Sequence, residues 1–261
     1  YQVSGKAMYS RVAREILDYV LKEMTHPGGG FYSAQDAGEV GEEGAFYVWH
    51  TSELREFLSP QEFTLFEKVY GLSEPNNFED GTHILNLQDE YDWTIKANPL
   101  IRSAHHKLLA VRQARPSPLK DDKILTAWNG LMIAAMAKAN QVLGEARFLD
   151  AARRAAQFLK QNLMSDRGLL RRYRDGEATF DGYLDDYAYL ISGLLTLYGT
   201  DFDLSWIDWA RELQAKQDEL LWNEQLGAYY FSRAGDPHLI RRSVDFVDGA
   251  RPNSNAVSAL N

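Results

Sequence analysis

Cysteine is absent from the 261-residue chain. That excludes disulfides, thiolate zinc sites and thiol catalysis, and it fits a reducing, cytoplasmic compartment. No run of eighteen apolar residues occurs, and no charged start leads into a short apolar stretch with a small-residue cleavage site. Neither a membrane span nor a signal peptide is therefore expected. Basic charge is also short: 28 Lys and Arg face 37 Asp and Glu, for a net charge of −9. Such a chain repels phosphate backbones, and its basic cluster is confined to Arg171, Arg172 and Arg174, so nucleic acid is not an expected partner. Core-forming material is plentiful, with 45% apolar and 12% aromatic residues. That marks a globular chain, read here as one domain over 1–261 and, since it opens at Tyr1, as a fragment of a longer protein.

The organising stretch is DDKILTAWNGLMIAAMAKA, from Asp121 to Ala139. From Leu131 to Ala137 every side chain is small or apolar, which predicts an enclosed helix with its polar groups gathered at the N-terminal end. In ARFLDAARRAAQFLKQNLM the apolar residues Phe148, Leu149, Ala152, Ala155, Ala156, Leu159 and Leu163 recur at three- and four-residue steps, the pattern of a half-wet helix. A short turn at Gly144 makes the two an antiparallel hairpin of inner and outer helix.

Earlier in the chain, residues 9–24 place Val12, Ile16 and Val20 on one face of an outer helix that stops at Pro27-Gly28-Gly29-Gly30. FYSAQDAGEVGEEGAFYVWH then predicts a strand, an acidic glycine loop and a returning strand. Helices follow at 51–58, capped by Thr51 or Ser52, at 60–70 and at about 99–115. After the central hairpin come strand-like GLLRRYRDGEATFDG, enclosed YLDDYAYLISGLLTLY, amphipathic WIDWARELQAKQDELLW, a further strand-and-turn segment, and the start of another enclosed helix in PNSNAVSALN.

LKEMTHPGGGFYSAQDAG, LKQNLMSDRGLLRRYRDG and LLWNEQLGAYYFSRAGD each run from an outer-helix end into glycine, a strand and a turn. They constitute an internal repeat. The inner helices align with them, placing Trp128-Asn129, Asp185-Asp186 and Ser254-Asn255 just ahead of their apolar runs. Repeated hairpins bury one another if they circle a common axis, so the expected fold is all-α, an incomplete (α/α) toroid with short β-hairpins in the connections. A stacked solenoid is the competing arrangement.

The motifs GGGFYSAQDA with GEEGAFYVW, DDKILTAWNGLMI, DGYLDDYAYLISGLL and DGARPNSNAVSA together resemble the YyaL-type thioredoxin-domain-containing proteins, which include spermatogenesis-associated relatives in animals. The resemblance spans nearly the whole chain. It implies a helical region of six-hairpin glycosidase or N-acylglucosamine 2-epimerase type, preceded in full-length members by a thioredoxin-like domain. Two positions depart from the family pattern: Gly38 stands where an aspartate usually follows Asp36-Ala37, and Asn253 and Ala256 vary the usual Pro-Ser-x-Asn-Ser.

Asp122 and Asp186 are the candidate general acid and base, since a cavity mouth raises a carboxyl by desolvation and by a second carboxylate. Facing one another they would form a glycosidase-like pair. For Asp121 and Asp122 the alternative is helix capping, and Lys123 is placed to neutralise one of them. Asp121, Asn129, Asp185 and Asn255 would hydrogen-bond a sugar or other small polar ligand, while Trp49, Trp128, Tyr183 and Tyr187 would stack on it or simply fill the core. Asp36, Glu42 and Glu43 lack calcium-loop spacing, and no arginine or lysine joins Gly38, Gly41 and Gly44, so neither a metal nor a cofactor is expected. None of the six histidines falls at an inner-helix mouth, which leaves an epimerase without an imidazole base. The arginines at 171, 172, 174, 241 and 242 are either an anion grip or surface salt links to acidic loops. A carbohydrate pocket at the inner-helix N-termini is thus the leading functional expectation. The rival is a non-catalytic recognition or scaffold module for the thioredoxin-like part.

Overall fold

The computed structural model describes residues 1–38, 44–73, 75–235 and 239–261. Gly41, Glu42, Glu43 and His238, weighed above, lie outside the described residues. Its helices are α1 (Ala7–Glu23), α2 (Thr51–Phe57), α3 (Pro60–Val69), α4 (Pro99–Gln113), α5 (Thr126–Leu143), α6 (Ala146–Asn162), α7 (Leu184–Asp201), α8 (Leu204–Leu221) and α9 (Ser254–Leu260). Short strands intervene: β1 (Ala34–Gln35), β2 (Lys120–Asp121), β3 (Ile124–Leu125), β4 (Met164–Ser165), β5 (Gly168–Arg174), β6 (Glu177–Asp181), β7 (Trp222–Asn223) and β8 (Ala228–Tyr229). The fold is mostly helical, with the strands confined to connections. Among the described residues no helix is long and apolar enough to cross a membrane.

The chain forms two compact units, residues 1–34 with 121–261, and residues 35–120. In the first, α5, α7 and α9 pack in a row as inner helices, with α6 against α5 and α8 against α7 as outer ones. This is the inner and outer layering of an (α/α) toroid. Outer helix α6 buries Phe148, Ala151, Ala152, Ala155, Ala156, Phe158 and Leu159, one face at helical spacing, and leaves its arginines at the surface. Gly144, at φ 73°, closes α5 in the left-handed conformation that glycine adopts without a steric cost. Strand β5 pairs antiparallel with β3, β4 and β6, so the β5–β6 hairpin is anchored beside the N-termini of α5 and α7.

In the second unit α3 packs on α4 around Phe63, Phe66, Val69, Ile101, Ala104 and Leu108. Ser59 and Glu62 form a reciprocal capping box at the start of α3, a signal that Ser-x-x-Glu already carries in the sequence.

Several local expectations are corrected. Among the described residues of 31–50 no strand pair forms: β1 has two residues, and Trp49 makes an isolated bridge with His83. Ser33 and Asp36 instead spend their N–H groups on the carbonyls of Asp121 and Leu119. Helix α2 is preceded by His50 at its N-cap, with no side-chain cap from Thr51 or Ser52. Helix α1 buries Leu17 and Val20 and leaves Ile16 exposed, a face rotated from the one expected. Asp121 and Asp122 do not cap the central helix, which starts later, at Thr126, after the chain has paired as β2 and β3. Helix α7 is enclosed through its first two turns, but α5 leaves Ala135 exposed.

Helices α5 and α7 approach one another through two glycines. A Cβ on Gly130 would lie 2.5 Å from Leu190 N and from the Tyr189 carbonyl carbon, and one on Gly193 would lie 2.5 Å from the Gly130 oxygen. Both obstacles are backbone, so neither can swing away. Gly130→Ala is expected to destabilise the chain by about 1–3 kcal/mol, measured by urea unfolding; an unchanged midpoint would show that α5 and α7 can separate cheaply.

Candidate functional site

Acid and amide groups at the N-terminal ends of the inner helices meet in two kinds of arrangement. In the first, a side chain holds the connecting strand that follows an outer helix. Asn129, in the first turn of α5, accepts from Phe31 N (2.7 Å) and donates to the carbonyls of Phe31 and Leu125 (both 2.9 Å). Asn255, on α9, accepts from Tyr229 N (2.8 Å) and donates to the carbonyls of Tyr229 and Asp245 (both 3.1 Å). Tyr187, on α7, does the corresponding work with its hydroxyl, which accepts from Leu169 N at 2.9 Å. These three residues face backbone.

The second arrangement occurs, among the described residues, at α7. Asp186 is fully buried, and its Oδ2 accepts from Tyr183 N (2.9 Å) and from Arg171 (2.9 Å). Its Oδ1 reaches across to accept from Ala127 N (3.0 Å), in the first turn of α5. Asp185, also buried, accepts from Arg171 (3.1 Å) and from Arg251 (2.6 Å). Two acids and two guanidiniums thus close a network that ties β5, α5, α7 and the segment before α9 together. Burial, and then the neighbouring Asp185, push Asp186 up to about 7, against the opposing pull of Arg171 and the Tyr183 and Ala127 N–H groups. An acid that exchanges its proton near neutrality beside fixed positive charge has the chemistry of a general acid or base.

A cavity of about 250 Å³ opens where β6 enters α7, lined by Arg167, Phe180, Asp181, Tyr183, Ser232 and Arg233, among others. Tyr183 caps α7 and stacks near Phe231, with the Arg171 guanidinium 4.7 Å from its ring centre. The Asp185–Asp186 network therefore lies directly behind one wall of this cavity.

The remaining expected residues are distributed elsewhere. Trp128 is 41% exposed on the first turn of α5. Trp49 belongs to the core of the second unit, with the Arg115 guanidinium 4.0 Å from its ring centre. Asp121 is salt-bridged to Lys123 at 2.9 Å. Burial would raise its carboxyl, but hydrogen bonds from Lys123 and Ser33 hold it below the usual range. Asp122 pairs with Arg174 at 2.7 Å. Because strand side chains alternate, Arg174 and Arg171 leave β5 on opposite faces, so Asp122 and Asp186 are held from opposite sides of that strand. Arg251, Phe180 and Arg233 were not picked out from the sequence. Arg251 sits inside the DGARPNSN motif, which was the available signal.

Asp186 gives two expectations. Asp186→Asn would set an amide N–H₂ against N–H donors and is expected to cost about 3 kcal/mol in urea unfolding. Because the folded-state value is raised above the usual 3.8, Asp186 stabilises the fold most when protonated, and that contribution is lost as pH climbs through about 7. The thermal midpoint should accordingly fall between about pH 4 and about pH 7 and level off above that, with a slope that Asp186→Asn removes; the same slope in both proteins would place the titration elsewhere.

No protein-family model matches the chain. Among solved structures, a sugar epimerase from a ruminal bacterium aligns with 87% of this chain and 61% of its own, at 14% identity and a TM-score of 0.43. A GH76 alpha-mannanase from Bacteroides thetaiotaomicron aligns with 87% and 75%, at 16% identity and a TM-score of 0.40. In sequence, spermatogenesis-associated protein 20 of Homo sapiens and of Rattus norvegicus are each 35% identical over 304 residues, covering all of this chain. The chain spans 39% of the human relative and 38% of the rat one. Matched from end to end, the chain is homologous to a segment of spermatogenesis-associated protein 20, as its motifs foretold.

Proposed function

We propose that the chain is a carbohydrate-binding domain of glycosidase or epimerase type, whose pocket lies at the N-terminal end of α7. The observation that carries this reading is the cavity of about 250 Å³ walled by Phe180 and Tyr183, with Asp186 and Arg171 behind Tyr183. Flat sugar faces pack on aromatic rings while hydroxyls take polar partners, and a volume of this size suits a single hexose ring. Asp186 is the proposed proton carrier, because its burial sets the proton near neutrality.

One observation favours a second reading. The oxygens of Asp185 and Asp186 already accept from N–H groups of Tyr183, Ala127, Arg171 and Arg251. A pair so fully engaged suits a structural pin in a non-catalytic recognition module, joined in the whole protein to a thioredoxin-like domain.

A panel of neutral mono- and disaccharides should raise the thermal midpoint of the chain, and Tyr183→Ala should abolish the rise. Asp186→Asn then separates the readings. Loss of turnover with sugar binding retained supports an acid–base role, whereas unchanged turnover, or none in either protein, supports the module. A panel that stabilises neither wild type nor variant would remove the carbohydrate reading altogether.

A further inference from the structure

We infer that the ligand of the cavity at the start of α7 carries a negative charge, as a sugar acid or sugar phosphate does; this rests on the carbohydrate reading and narrows it. The argument starts from an unequal count of charges. Asp181 is shared by two guanidiniums, Arg167 at 2.8 Å and Arg233 at 3.1 Å, both lining the cavity. Arg172 lies over the Phe180 ring at 5.1 Å, is hydrogen-bonded to Thr179, and meets no carboxylate among the described residues. Among the described residues that line the cavity, one acid thus faces two cations, with Arg172 as a third beside the Phe180 ring, in a chain whose overall charge is −9. Arg171 and Arg251 do not alter the balance, since Asp185 and Asp186 match them. The net charge of the chain repels anions at long range, and here the local field attracts them.

Phe180 supplies the second half of the argument. It is 63% exposed and sits at φ 65°, a left-handed conformation that a bulky side chain adopts only against a steric cost. The neighbouring pairs Leu170 with Asp181 and Arg172 with Thr179 keep register on either side of it, so the hairpin holds Phe180 in that conformation. The result is an exposed aromatic side chain lining the same cavity as Tyr183, where a core-packing residue would have turned inward. Two rings grip the apolar face of a sugar, and the guanidiniums of Arg167 and Arg233 take the anionic group, matching carboxylate or phosphate in bidentate geometry. Asp181 holds the two forks in place and would give up one of them to the incoming anion.

Calorimetric titration of the chain with D-glucuronate, glucose 6-phosphate, glucose and inorganic phosphate tests the inference. One of the two charged sugars should bind at least about tenfold more tightly than glucose, and which one does so distinguishes carboxylate from phosphate recognition. Arg233→Gln should remove about tenfold of that preference, read as the ratio of charged-sugar to glucose affinity in the same variant. Phe180→Gly should weaken every sugar without lowering the thermal midpoint, since glycine accepts the backbone conformation freely. Glucose binding as tightly as both charged sugars, or an Arg233→Gln protein with wild-type preference, overturns the anionic inference alone and leaves the carbohydrate reading standing. Inorganic phosphate binding as tightly as glucose 6-phosphate overturns the carbohydrate reading while leaving anion recognition, and no binding of any sugar overturns both.

Discussion

One carboxylate joins the two helices on which the first unit is built. Asp186 accepts the N–H of Tyr183 at the start of its own helix and the N–H of Ala127 at the start of α5, and Arg171 supplies the compensating charge. Helix N-termini leave donors without intrahelical partners, and two such ends brought together in a buried place would be costly unless something accepted from both. A buried acid is costly as well, unless it is surrounded by donors. Each difficulty answers the other. Registering α5 against α7 at this point also brings Gly130 under the Tyr189–Leu190 backbone, where a side chain would not fit.

The position of the cavity follows from the same join. Asp186 fixes Tyr183 at the helix entry, Arg171 fixes β5 against it, and the β5–β6 hairpin then has one place to turn, with Phe180 at its rim. Asp186 therefore affects the cavity through the residues it positions, whether or not it ever exchanges a proton with a ligand. Stability and function are coupled at this residue, so a measurement on Asp186→Asn has to separate the two.

Much of this was legible in the chain. The outer helix α6 was readable because its apolar spacing is regular, and the inner helices because their polar residues collect at one end. The threefold repeat was visible in the outer-helix ends, and its physical basis is now plain: Asn129, Tyr187 and Asn255 each hold the strand that follows an outer helix. What sequence could not show was that such polar groups point at backbone rather than at a ligand. Adjacency misled at Asp121-Asp122, because acids ahead of an apolar run read as caps, whereas Ile124 and Leu125 pair with β5 before the helix begins. It was equally silent about Arg251 and Asp185, 66 residues apart, because an ion pair of that separation has no local pattern.

Asn129 is followed by Gly130, the dipeptide in which a flexible chain most readily attacks its own side-chain amide and sheds ammonia. Here the glycine nitrogen is held in a regular helical turn, and the amide is engaged with Phe31 and Leu125. The native architecture thus shields its own weakest covalent point. Chemical ageing at this step would begin with molecules that have already opened, and the aspartate it leaves would confront two carbonyls with an acceptor, hindering their return.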